Sequence, residues 1–129
     1  MFEALLADQQ RILGPDHPDT LKTRNSLAYC TGAVGQVEKA RELFEALLAD
    51  LQRILGPDHP DTLKTRNMLA YCTGEVGQVE KARELFEALL ADEQRILGPD
   101  HPDTLNTRHS LNVLSTEVRY EVGEVPQEK

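Results

Sequence analysis

The chain has 129 residues, 40% of them hydrophobic and 28% charged with both signs mixed throughout, which excludes a disordered chain and fits one folded unit. A formal net charge of −8 argues against nucleic acid and acidic membrane surfaces as partners, since both are bound through cationic side chains that displace counterions. No apolar run reaches bilayer-spanning length, the N-terminus lacks a secretion signal, and Trp is absent, so an all-α cytoplasmic protein with a core of Leu, Ile, Val and Ala is expected.

A fixed period sets the register of the elements. Phe2, Phe44 and Phe86 stand 42 residues apart, as do Gly14, Gly56 and Gly98, and His17, His59 and His101. Residues 2–42 and 44–84 differ at only three positions, Gln9/Leu51, Ser26/Met68 and Ala33/Glu75, so the copies arose by recent duplication or deliberate construction.

In chain order, the first expected element is a helix over residues 2–13, designated B-type, and the second an A-type helix over 18–33. The next B-type helix, 37–55, carries Val37, Ala40, Leu43, Phe44, Leu47, Leu48, Leu51, Ile54 and Leu55 on one broad apolar face. Gly56 ends it by accepting a left-handed conformation, and Pro57 cannot continue the ladder. Asp58-His59-Pro60-Asp61-Thr62 then opens an A-type helix over 60–75, with Pro suited to the first turn and acidic groups beside the positive end of the dipole. Leu63, Leu69, Ala70, Thr73 and Val76 form its stripe, and Gly74 to Gln78 supply a tight turn into a B-type helix over 79–97. The last helix, A-type, spans 102–122; Thr116 and Arg119 replace its turn glycines, so it should run on. Short connections make these six helices antiparallel pairs in a single array over 1–122, followed by a polar tail over 123–129. Met1 stands where other units carry Leu43 and Leu85, so a fragment or an engineered chain is expected.

Residues that suggest chemistry have a plainer reading. His17, His59 and His101 recur once per unit, too far apart for one metal ion, and suit helix capping. Cys30 and Cys72 have no neighbouring base and are expected as reduced, semi-buried thiols. Arg41 with Glu45, Asp50 with Arg53 and Asp92 with Arg95 have the spacing of neighbours on a solvated helix face rather than of paired acid catalysts. Arg24, Arg66 and Arg108 could run their stems over the core toward a carboxylate of the adjoining linker or helix, or bind a ligand anion. No phosphate loop occurs, and neither catalysis, a metal nor a cofactor is expected.

Leu27-Ala28, Gly35, Ala40 and Phe44, and again Leu69-Ala70, Gly77, Ala82 and Phe86, resemble the signature of tetratricopeptide repeats. The longer unit, with its Leu-Gly-Pro-Asp-His-Pro-Asp-Thr linker, is similar to the 42-residue repeats of kinesin light chains and actinobacterial repeat proteins. Arg24, Arg66 and Arg108 depart from the usual Trp, and Thr31, Thr73 and Ser115 from the usual Tyr. The resemblance implies an α-solenoid, a right-handed superhelix whose A-type helices line a concave groove.

Carried over to this chain, the resemblance implies a peptide-binding groove at Lys22, Asn25, Tyr29, Lys64, Asn67, Met68, Tyr71, Asn106 and His109, with Ser26, Ala33, Glu75, Ser110 and Val113 beside them. Asn can donate to and accept from an extended backbone, Lys can pair with a carboxylate, and Tyr can cover apolar side chains. The expected function is therefore a protein-interaction module for a protein or extended peptide, within a longer array. The alternative is self-association, as a dimer or head to tail, through the terminal helices at Phe2, Leu5, Leu6, Leu111, Leu114 and Val118, with Leu105 and Val122 on the same stripe.

Overall fold

The computed structural model describes residues 2–121, with side chains as far as Leu114. Its helices are α1 (Phe2–Ile12), α2 (Pro18–Ala33), α3 (Val37–Ile54), α4 (Pro60–Glu75), α5 (Val79–Ile96) and α6 (Pro102–Glu121), and no strand occurs among the described residues. The B-type helices α3 and α5 stop one residue short of expectation because Leu55 and Leu97 serve as C-caps. The backbone of α6 does run on past Thr116 and Arg119, while Val122 and the tail lie outside the described residues, as does the side chain of Val118.

Each A-type helix begins on the same device. His59 is the extended N-cap of α4 and its Nδ1 accepts the Asp61 amide at 3.0 Å; His17 and His101 do the same for Asp19 and Asp103, each at 3.1 Å. Pro60 loses nothing in the first turn, where its missing N–H would have found no helical partner. Buried Thr62 donates its hydroxyl to the Gly56 carbonyl at 2.8 Å, and Thr20 to Gly14 at 2.9 Å, tying linker to helix. Gly56 itself sits at φ +93°, where a side chain would be strained.

The substantial helix contacts all join consecutive helices, as in a solenoid whose core is strung along its length. Within a pair, Ala28 and Ala40 are both fully buried, and a Cβ added at Gly32 would stand 3.3 Å from that of Ala40. The pair α4 and α5 repeats this with Ala70, Ala82 and Gly74. Phe44 and Leu47 of α3 are each 1% exposed, and such burial contributes about 1.5–3 kcal/mol per side chain.

The two cysteines do not share the semi-buried state expected of them: Cys72 is buried and Cys30 exposed. Cys72 packs with Ala40 and Phe44 from the first turns of α3, whereas the described part of α1 starts at Phe2, the counterpart of Phe44, and offers no such turns beside Cys30. The expectation for Leu111 and Leu114 is also corrected. Leu114 is buried with Val79, Ala82 and Phe86 of α5, and Leu111 packs on the same cluster, so both face inward to the preceding helix.

Candidate interaction face

Three clefts run along the face made by α2, α4 and α6. The first, about 530 Å³, lies between α2 and α4, with Leu21, Leu47, Leu51 and Leu55 at its base and Lys22, Asn25, Ser26 and Lys64 around it. The second, about 220 Å³, lies between the far ends of the same two helices and is lined by Tyr29, Ala33, Met68, Tyr71 and Glu75. The third, about 330 Å³, separates α4 from α6 and meets Tyr71, Glu75, His109, Ser110 and Val113. The pattern follows from the repeat, since one turn of each A-type helix presents the same positions to the gap beside its neighbour.

Of the nine groove residues expected from the sequence, seven line these clefts; Asn67 and Asn106 line none of them. Asn67 is half-buried, and its Nδ2 donates to the Thr107 hydroxyl at 3.4 Å, so it joins α4 to α6 instead of facing solvent. Asn106 is exposed. Tyr29 and Tyr71 are 60% and 55% exposed, which for large aromatic side chains leaves apolar surface for a partner. Lys22 and Lys64 are exposed and carry no ion pair among the described residues, while Asp61 also lines the first cleft.

Several arginines and carboxylates are paired within the protein. Arg24 reaches Asp50 at 2.6 Å and Arg66 reaches Asp92 at 2.7 Å, so both guanidiniums bridge an A-type helix to its following B-type helix. Arg53 joins Asp50 at 3.3 Å and Asp16 at 3.0 Å, and Arg95 likewise holds Asp92 and Asp58. The hydrogen bonds from Arg24 and Arg66 hold the Asp50 and Asp92 carboxyls below the usual range. On the outer face, Arg41 binds Glu38 and Glu45, and Arg83 binds Glu80 and Glu87. Sequence reading gave the helical neighbours but not Arg53 with Asp16, whose separation of 37 residues no helix periodicity reveals.

Burial, with a smaller effect from Glu75, pushes the Cys72 thiol above its ordinary value, which disfavours the nucleophilic thiolate. The capping histidines sit at separate helix starts, and no group of three or more potential metal ligands occurs among the described residues. Of these, no helix is long and apolar enough to cross a membrane.

A family model described as Tetratricopeptide repeat matches residues 23–91. Among solved structures, the nearly identical TPR-like repeats assigned to a kinesin light chain of Podosopora anserina superpose with a TM-score of 0.82 at 32% identity, covering 94% of this chain and 57% of that one. A form of those repeats carrying a single substitution gives 0.81 at 33% identity, covering 89% and 54%. This chain therefore spans little more than half the length of those structures. No curated protein matches.

Proposed function

The chain belongs to the tetratricopeptide repeat family, and on that footing we propose that its A-helix face binds an extended segment of another protein. Tetratricopeptide repeats generally mediate protein–protein interaction, and the fold is typically a non-enzymatic scaffold. The observation that carries the proposal is the row of clefts between α2, α4 and α6, with seven of the expected residues around them. The first cleft suits an apolar side chain over Leu21 and Leu51 with a carboxylate near Lys22 or Lys64. In the second, Tyr29 and Tyr71 can close over a further apolar side chain.

The partner is thus a peptide with apolar residues and an acidic group at the end near α2's first turns. The net charge of −8 disfavours nucleic acid, and the two unpaired cysteines suit a cytoplasmic setting. Selection from a displayed peptide library tests the reading. Wild-type chain should enrich acidic–apolar segments, and the Lys22→Glu, Lys64→Glu double variant should lose them; enrichment unchanged by that variant contradicts the proposal.

A second reading, association between copies of the chain, is favoured by Leu5, which is 46% exposed where its counterparts Leu47 and Leu89 are 1% and 0%.

A further inference from the structure

The gap between α4 and α6 repeats the gap between α2 and α4 with two changes of charge in the same direction. At the first gap, Leu51 forms part of the cleft base, with Lys22 and Lys64 around it. One period on, Glu93 stands in the place of Leu51 and Asn106 in that of Lys64, so a carboxylate enters and a cation is lost. Glu93 is 2% exposed, and its Oε1 has no hydrogen-bond partner among the described residues. The preceding unit packs a Leu at this place, so the fold does not require the carboxylate, and a buried polar group left unpaired costs about 1–3 kcal/mol. Its cover is slight. Thr107, which lies beside Glu93, accepts a hydrogen bond from Asn67 Nδ2 at 3.4 Å, long for such a bond. The counterparts Asn25 and Thr65 stand apart in the open first cleft, where Asn25 is exposed. Turning Asn67 outward, to the exposure that Asn25 has, would open over Glu93 the cleft that the first gap already shows.

We propose that the gap between α4 and α6 takes a lysine or arginine side chain of the bound segment, with Glu93 as the carboxylate that receives it. This rests on the reading of the A-helix face as a peptide-binding surface and gives the segment an orientation. Its acidic group lies by Lys22 and Lys64, its apolar side chain over Leu51, and its basic side chain over Glu93. A carboxylate in low-dielectric surroundings attracts a cation more strongly than an exposed one does, and the incoming N–H donors supply the hydrogen bond that Oε1 lacks. The chain's own Arg66 lies near Glu93 but is held by Asp92 at 2.7 Å, and Asp103 adds a second negative charge beside the gap.

The test is the displayed-library selection run in parallel on wild type, Glu93→Gln and Glu93→Leu, with circular dichroism checking that each variant keeps its helicity. Wild type should enrich segments that carry Lys or Arg on the side of the apolar residue opposite the acidic group. Glu93→Gln should lose that preference, and Glu93→Leu should exchange it for an apolar residue. A recovered peptide whose basic residue is replaced by norleucine should bind wild type roughly tenfold or more weakly, the effect of losing one close charge pair between proteins. The same replacement should leave binding to Glu93→Gln unchanged, and its effect on wild type reads the contact even if a variant fails to fold. If wild type enriches acidic–apolar segments without a basic residue, or the norleucine peptide binds it as tightly as the parent, Glu93 receives no cation while the peptide-binding reading stands. A basic preference that survives in both variants overturns the assignment to Glu93 in the same way. If wild type enriches no segment, both readings fall.

Discussion

Glu93 is 2% exposed on α5, where α3 carries Leu51, and its Oε1 has no hydrogen-bond partner among the described residues. Burial pushes its carboxyl above the usual Glu value; nearby Thr107 opposes the rise, Asp103 adds to it, and Arg66 and His101 oppose it. The folded chain thus holds this proton more tightly than the unfolded one, so stability is full below the unfolded value and falls as pH rises through the folded one. Glu93→Leu should raise stability at neutral pH by about 1–3 kcal/mol, the cost of an unsatisfied buried group, and the gain should shrink toward about pH 4. Urea midpoints at both pH values check this, and a pH-independent difference contradicts it. Asp50 and Asp92 act oppositely: their lowered values give stability that is lost as pH falls through the acid range. The thiols offer a second check at single residues, since a disulfide reagent should modify exposed Cys30 rapidly and buried Cys72 only on unfolding. Equal rates in the folded chain would contradict the burial assigned to them.

Within a helix pair, small residues set the separation. Ala82 is fully buried between α4 and α5, so Ala82→Leu should destabilise by about 1–3 kcal/mol, read as a lower denaturation midpoint. The helical glycines should respond differently from one another. A Cβ at Gly74 would stand 3.5 Å from Ala82 and 3.6 Å from Leu114, ordinary contacts, so Gly74→Ala should stabilise by up to about 1 kcal/mol through helix propensity. At Gly32 the corresponding 3.3 Å contact consumes that gain, and the midpoint should move less. The helices themselves could be read from sequence because Gly56-Pro57 and His59-Pro60-Asp61 fix φ, capping and dipole chemistry locally. Gly32 and the buried threonines could not: their roles come from the neighbouring helix and the linker carbonyl, which periodicity does not place.

Across the whole molecule, the repeat makes the cleft-bearing face and the charge networks two outputs of one periodic pattern. Seven of the nine expected groove residues line its clefts, because family resemblance assigns positions to the A-type helices and the 42-residue period carries them forward. Asn67 escaped that reading since its partner, Thr107, lies 40 residues away on α6. Its counterpart Asn25 lines the first cleft instead, and a residue's role therefore changes with what the next unit supplies. Tyr29→Ala with Tyr71→Ala should abolish peptide capture while leaving the melting midpoint close to that of wild type, as their exposure requires. A large drop in midpoint would instead place these side chains in the core. Binding on the A-helix face is best tested by amide shift mapping of the isotopically labelled chain during titration with a peptide recovered from the display selection. Perturbations should centre on Lys22, Asn25, Tyr29, Lys64 and Tyr71 of α2 and α4. Perturbations centred instead on Glu42, Glu45, Glu84 and Glu87, along the exposed sides of α3 and α5, would contradict binding on that face.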